Sequence, residues 1–358
     1  MSGNSFGKSL VLTTFGESHG VAVGGVLDGF PANLVIDLVF IQEELNRRRP
    51  GLDFFSSPRK EEDKIEILSG LFGDKSTGAP IAFLVYNHDQ RPSDYNDLTS
   101  VYRPSHADFT YQQKYGIRDP RGGGRASARE TLARVAGGAF AKLFLQTLDI
   151  RITTWISQIG EFKIPYPVSR IPHPASRIPD PLSTDNPETI NDPEILAFLR
   201  QLKVKGDTTG GIISCAITRV PVGLGEPVFD KLQADLAKAM LSINAVKGFE
   251  YGSGFKGASM KGSEHNDRFV NEGGTIKTHT NHSGGIQGGI SNGEEIYFRV
   301  ALKPVSTLMM DQETVTTEGK RTILKGKGRH DVCIVPRALP IVEAMAALVI
   351  ADHLLRKR

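Results

Sequence analysis

The stretch Arg103–Lys142, RPSHADFTYQQKYGIRDPRGGGRASARETLARVAGGAFAK, joins a histidine beside an acid, an arginine- and glycine-rich loop and the start of a helix. Ser127-Ala128-Arg129-Glu130 fits the S-x-x-E box, in which a serine caps a helix and the glutamate reaches back to the cap. Beyond it Leu132, Val135, Ala136, Ala139, Phe140, Leu143 and Phe144 recur at helical spacing, so a long helix with one buried face is predicted to begin near Ser127. The loop Arg121–Arg125 feeding that helix would aim backbone N–H groups and the positive dipole end at one point, with Arg121, Arg125 and Arg129 around it. That point suits a phosphate or a carboxylate. A glycine-rich surface turn with solvated arginines would look the same.

The whole chain has 358 residues, 39% hydrophobic and 23% charged, as expected of a soluble enzyme. Its net charge of +3 and the absence of interleaved basic and aromatic residues argue against a nucleic-acid partner. The N-terminus lacks the apolar core of a signal peptide, and no run approaching the roughly 18 apolar residues of a membrane span is apparent. A cytoplasmic protein with no membrane partner is expected. Cys215 and Cys333 lie far apart without C-x-x-C spacing, which indicates neither a disulfide framework nor a zinc site.

Strands are predicted at Leu10–Phe15, Val21–Leu27, Ile65–Phe72, Pro80–Tyr86, Ile150–Ile159, Gly211–Val220 and Glu295–Leu302. Helices are predicted from Leu38, capped by Asp37, from Pro193 to Lys203, from Pro227 to Met240, and from Arg337 toward Leu355. Gly16-Glu17-Ser18-His19-Gly20 matches the G-x-S-x-G nucleophile elbow in form. That elbow needs a helix behind it, whereas Val21, Val23 and Val26 favour extended chain, so a serine hydrolase is not indicated. Gly252-Ser253-Gly254-Phe255-Lys256-Gly257 matches G-x-G-x-x-G but is expected to follow a helix end rather than a strand, against a dinucleotide fingerprint. Arg47-Arg48-Arg49 either complements a helix C-terminal dipole or forms an anion cluster with at least one arginine turned inward. The polar run His88–Thr99 is long for an idle connection and is a candidate lid. A proline-dense segment at about residues 161–192 reads as an irregular surface excursion.

Three histidines beside acids or arginines (His19, His106, His330), several inward arginine candidates and repeated glycine turns suggest a site for a multiply anionic ligand handled by acid–base chemistry. No metal is indicated, since neither H-E-x-x-H nor H-x-x-E-H nor a carboxylate cluster occurs.

Taken together, GESHG, RRRPG, RPSHAD, RGGGRASARET, SINAVKG, GGIQGGIS, Lys303-Pro304-x-Ser306 and GRHD-x-C resemble the chorismate synthase family over about residues 10–355. The resemblance implies an α+β fold in a single domain over residues 1–358, a sandwich of antiparallel β-sheets and helices, typically a homotetramer. It implies a carbon–oxygen lyase that converts 5-enolpyruvylshikimate 3-phosphate to chorismate and phosphate by 1,4-elimination, the last step of the shikimate pathway for aromatic amino acid biosynthesis. Reduced FMN is required without net redox change, and, with no flavin-reductase domain visible, an external flavin reductant is implied.

By motif, His19 would protonate the departing phosphate, His106 would exchange a proton with the reduced flavin, and Asp331 would assist removal of the ring proton. Arg48, Arg49, Arg103, Arg125 and Arg329 match the family's substrate-binding arginines. Arg125, Ala126, Ser127, Asn244, Ala245, Gly288, Lys303, Pro304, Val305, Ser306, Thr307 and Arg329 match its flavin-contacting positions. His330 takes no role. The chain departs from the family in three places: Phe54, where relatives often carry a basic residue, bears on any NADP contact, Val332 replaces a common proline, and Ala126 a common serine. A non-catalytic flavin- or phosphate-binding protein would be expected to lack one of His19, His106 and Asp331. A metal-dependent phosphohydrolase would be sensitive to a chelator.

Overall fold

Two antiparallel sheets of five strands each enclose a set of helices, in a computed structural model that describes residues 3–51, 54–56, 62–88, 98–165, 190–326 and 331–357. The first sheet has the order Ser5–Phe6, Val11–Gly16, Ala22–Asp28, Ile81–Tyr86, Glu66–Ile67. In the second the order is Val246–Tyr251, Ile296–Leu302, Gly211–Thr218, Arg151–Ile159, Phe162–Lys163. Alternate residues of each strand point to the interior: Leu12 pairs in register with Leu27, and Cys215 with Phe298, and all four are buried.

The described helices are α1 (Leu38–Arg48), α2 (Asp108–Tyr115), α3 (Thr131–Gln146), α4 (Pro193–Lys205), α5 (Leu232–Leu241), α6 (Gly262–His265) and α7 (Val335–Arg356). Helix α3 packs on the first sheet, α7 on the second, and the two helices pack on each other. Their close approach depends on Gly138, where a Cβ would lie 2.3 Å from that of Ala344. Expected strands and helices thus assemble as an α+β sandwich. Asp37 caps α1 as predicted, its Oδ1 accepting from the N–H groups of Val39 and Phe40 at 2.9 and 3.0 Å.

Several boundaries differ from expectation. Ile65–Phe72 is not one strand: Glu66–Ile67 joins the first sheet, while Leu71–Phe72 and Lys75–Ser76 form their own hairpin. Helix α5 starts at Leu232 rather than Pro227, because Val228 adopts φ +72° and the Leu232 N–H is drawn to the Gly289 carbonyl at 2.9 Å. The G-x-G-x-x-G segment follows a strand, Val246–Tyr251, but leads into a 3₁₀ turn at Gly254–Ser259, so it lacks the helix that would hold a pyrophosphate. Residues 166–189 of the proline-dense segment lie outside the described residues, as do 89–97 of the candidate lid.

The apolar character of helix α7 goes beyond expectation: the helix has 22 residues, and an 18-residue stretch of it has a mean hydropathy of 1.8, long and apolar enough to cross a membrane. Instead, 89% of that stretch is buried within the protein. A helix between a sheet and another helix layer is apolar nearly all round, and its charged residues are matched inside. Glu343 accepts from Arg47 of α1 at 2.8 and 3.0 Å, from Thr154 at 2.6 Å and from Lys142 of α3, while Lys142 also pairs with Glu44. Burial pushes the Glu343 carboxyl up, but Arg47 and Lys142 outweigh it and hold it well below the usual range. Asp352 accepts from the backbone N–H groups of Lys8, Ser9 and Leu10 at 3.0, 2.6 and 2.9 Å.

Candidate active site

The loop Arg121–Arg125 lies against both histidines of its surroundings. Gly122 has φ +69°, and a Cβ there would sit 2.5 Å from Cε1 and 2.6 Å from Nδ1 of His19. At Gly123 a Cβ would come 3.4 Å from Nε2 of His106. The sequence-distant GESHG and RPSHAD motifs are therefore brought to adjacent glycines, and the glycines are what let the rings approach the main chain.

Ser127 does cap, its hydroxyl accepting from the Arg129 N–H at 3.3 Å, but what it caps is a 3₁₀ turn, Ala128–Glu130, and α3 proper begins at Thr131. The box is not closed. Glu130 instead turns to Arg134 at 3.0 Å and Thr14 at 3.3 Å. The N–H groups of Ala126 and Ser127 bond the carbonyls of Gly123 and Gly124 at 2.8 and 3.3 Å, so the loop's attraction for an anion rests on its arginines more than on its amides. Arg121 is exposed and pairs with Asp119, whose carboxyl its hydrogen bond holds below the usual value, and Arg129 points into the protein.

His106 is oriented by the acid of its own motif. Its Nδ1 lies 3.0 Å from Oδ1 of Asp108, two residues on, and Arg103 donates to the same carboxylate through Nε and Nη2, each at 2.7 Å. Arg118 adds an ion pair at 3.1 Å. Although burial pushes Asp108 up, hydrogen bonds from Arg103 and His106 hold its carboxyl far below the ordinary range. An ionised carboxylate accepts only, so Nδ1 of His106 carries a proton and Nε2 faces the glycine loop. The signal lies within RPSHAD itself, an acid at the start of α2 two residues past the histidine.

His19 is buried in the turn between the first two long strands, with the Ser18 hydroxyl 3.1 Å from Nδ1. The next element is the strand Ala22–Asp28, antiparallel to its predecessor, so the G-x-S-x-G form is a hairpin and not a nucleophile elbow.

The triple arginine resolves in favour of inward charge, although its anions belong to the chain itself. Arg47 serves the core cluster, and Arg48 is buried against Asp63 at 2.8 Å. Arg49 donates through Nη1 to Asn46 at 3.4 Å. Asp63 also accepts from Arg129 at 3.0 Å; burial raises this carboxyl, and Arg48 and Arg129 more than offset it. Asp331 reaches the same corner: Arg337 donates to its Oδ2 at 2.5 Å and to the Arg48 carbonyl at 3.2 Å. The Val332 N–H bonds the Phe55 carbonyl at 2.8 Å. Phe54 beside it is faced by Arg200 and Lys203 of α4, at 5.2 and 6.0 Å from the ring centre. Arg329 and His330 lie outside the described residues.

Arg125, Ala126 and Asn244 line one cavity of about 1320 Å³. Asn244 donates to the Ala126 carbonyl at 2.9 Å, and the Ala245 carbonyl accepts from Lys303 N–H at 2.9 Å, which draws the 303–307 segment to the same edge. Val305 there accepts from Thr208 at 2.9 Å. Arg125 is itself tied to Thr14, Gly16 and Asn4 at 2.7–3.3 Å. Gly288 stands apart: Gly289 bonds the start of α5, while Asn244 follows its end, about 15 Å along a ten-residue helix. Among the described residues no group of three or more His, Cys, Asp or Glu could hold a metal ion.

Comparison with known proteins gives the family of the chain. The family model described as chorismate synthase matches residues 10–355. Curated relatives named chorismate synthase include those of Bacteroides thetaiotaomicron, 57% identical over 98% of both chains, and of Opitutus terrae, 52% identical over 99% of this chain and 97% of the relative. A crystal structure of chorismate synthase superposes with a TM-score of 0.74 at 33% identity, covering 98% of this chain and 93% of that one. The chain belongs to the chorismate synthase family, whose members are lyases.

Proposed function

We propose that this family member eliminates phosphate from 5-enolpyruvylshikimate 3-phosphate across the 1,4 positions to give chorismate, as the last step of the shikimate pathway, and that it depends on reduced FMN. The observation that carries the proposal is the meeting of His19 and His106 at adjacent glycines of one arginine-flanked loop. A substrate with one phosphate and two carboxylates, beside a phosphorylated cofactor, calls for cations at such a place.

The residues suit a flavin. Among the described residues Asn244 Oδ1 is buried without a hydrogen-bond partner, beside the cavity that Arg125 and Ala126 line, and an N–H donor of a bound ring would satisfy it. Burial and the neighbouring Lys247 hold the Lys303 ammonium below its usual value, as at a position awaiting an anion. Reduced FMN, when bound, lends electron density to the breaking C–O bond and recovers it. The chain's part is positional and protonic. His19 gives a proton to the departing phosphate, His106 holds or passes one at Nε2 while Asp108 keeps Nδ1 engaged, and Asp331, anchored by Arg337, aids removal of the ring proton. Arg48, Arg49, Arg103, Arg125 and Arg329 are the arginines for the substrate's anionic groups, Arg48 and Arg103 being held in place by carboxylates of the chain, Asp63 and Asp108.

The test is chorismate formation by the purified protein with photoreduced or oxidised FMN. Turnover is expected only with the reduced flavin and is expected to withstand a chelator. Equal activity with oxidised flavin overturns the proposal, and phosphate release without chorismate that a chelator abolishes favours a metal-dependent phosphohydrolase. A cytoplasmic, single-domain homotetramer served by an external flavin reductant completes the proposal; light scattering would reveal a mass four times that of the chain.

A further inference from the structure

We infer that Asn87 is a positioning residue for His19, held in its working orientation by Arg129 and Asp63. The inference rests on the proposed role of His19 as proton donor. Asn87 follows the strand Ile81–Tyr86 and is 7% exposed. Its backbone N–H donates to the Val21 carbonyl at 3.0 Å, and its side-chain Nδ2 donates to the carbonyls of Glu17 and Gly20 at 3.0 and 2.8 Å. One residue thus grips three carbonyls of the five-residue segment that carries His19, and the Gly20 N–H closes the turn on the Glu17 carbonyl at 3.1 Å.

The carboxamide can take only one orientation. Its Oδ1 accepts from Nε of Arg129, and a guanidinium has no acceptor, so Nδ2 must face the turn. Arg129 is fixed in turn by Asp63, through Nη1 at 3.0 Å, and by the Tyr86 carbonyl at 3.4 Å. Asp63 is 3% exposed and sits at φ +48°, in the left-handed region that aspartate enters more readily than most side chains. The other oxygen of Asp63 takes Arg48, whose carbonyl is bonded by the arginine that holds Asp331. Side-chain and main-chain links therefore run from the corner of Asp331 to the turn of His19 through groups that each bond on both sides. In this arrangement the spacing between the two reacting groups is set by the chain before any ligand arrives, and Asn87 is the link that touches the His19 turn directly.

The experiment compares the full-length enzyme with N87A and N87D, following steady-state turnover and the ring resonances of His19 in imidazole-labelled protein assigned with H19A. Asn87→Asp keeps the shape and the acceptor for Arg129 but loses both donors to the turn; it also decides the matter if Asn87→Ala does not fold. Both variants are expected to lower kcat by about tenfold or more with KM changed less than about threefold, and to shift the His19 resonances, as a displaced reacting group requires. Turnover within about twofold of wild type in both variants, or unshifted His19 resonances in folded variants, overturns the inference. If H19A itself keeps wild-type turnover, the proton-donor role falls, while the His19 resonances still report whether Asn87 positions the ring.

Discussion

The two histidines of the site are supported in opposite ways. His106 takes its orientation from a charge two residues away: Asp108 accepts from Nδ1 and is held ionised by Arg103 and Arg118. His19 takes its orientation from backbone geometry fixed at a distance, by Asn87 across the sheet, with a neutral hydroxyl, that of Ser18, at Nδ1. A carboxylate fixes a tautomer, because it can only accept. A hydroxyl can donate or accept, so Ser18 by itself fixes no tautomer of His19, which suits the proton-donor role proposed for that ring. Orientation by charge and orientation by fold should fail differently when disturbed.

The largest effect is expected from Asp108→Asn. The amide cannot hold Nδ1 of His106 as a carboxylate does, and kcat should fall by about 10²-fold or more. Stability should fall as well, by about 3 kcal/mol, since Arg103 and Arg118 lose a buried partner. Because the folded carboxyl is held far below its unfolded value of about 3.9, its contribution is complete above that pH and drains away as pH falls below it. The stability gap between wild type and variant, measured by denaturant midpoint, should therefore be constant from about pH 8 to 5 and narrow toward pH 3. A gap unchanged down to pH 3 would show that Asp108 is not the ionised hub of the cluster, and the contrast between the two histidines would disappear.

Next comes the glycine pair, which tests the same contrast from the loop side. Gly122→Ala places a methyl within 2.6 Å of the His19 ring on a left-handed backbone, so the ring or the loop must move. We expect kcat to fall about tenfold to 10²-fold and stability to drop by about 1–2 kcal/mol. Gly123→Ala meets its nearest atoms at 3.3–3.4 Å, and its φ of −156° is outside the left-handed region that strains Gly122→Ala. Its effect should be several-fold at most. Reversal of the order would mean that the His19 ring yields more easily than its turn suggests.

Much of this is legible in the sequence, and what is not shares one cause. The hairpin at GESHG, the capping of α1 by Asp37 and the strand set follow from local patterns of two to four residues, which sequence displays directly. The histidines and arginines proposed for the site follow from motif resemblance. The groups that fix them do not: Asp63 and Asn87 act on Arg48, Arg129 and the His19 turn across 15 to 70 residues of chain, and nothing near either residue advertises a partner. Arg129 groups with the loop's anion-binding charges by its place near the start of a helix, yet its guanidinium turns inward to Asp63. Helix α7 does not stand out as an apolar span because Arg337, Glu343 and Asp352 interrupt it, and only the fold supplies the counter-groups that let them be buried. Asp108 is the exception. It lies in plain view beside His106, and a carboxylate that near a candidate catalytic histidine is a sufficient signal.

The smallest expected effect belongs to Ser18→Ala, and it is the one that most sharply separates fold from charge. The exchange removes one neutral hydroxyl at 3.1 Å from His19 Nδ1 but leaves untouched the Asn87 bonds to Glu17 and Gly20 and the Gly20–Glu17 bond that shapes the turn. A neutral hydrogen bond contributes about 1 kcal/mol, so kcat should fall less than about tenfold, with KM for the phosphate substrate unchanged. Because the hydroxyl adds no charge, its stability difference from wild type should stay constant down to pH 3, where that of Asp108→Asn narrows. Turnover at neutral pH and denaturant midpoints from pH 8 to 3 for both variants decide it. If Ser18→Ala proves as damaging as Asp108→Asn, then side-chain contact and not the gripped turn holds His19, and the two histidines are supported in the same way after all.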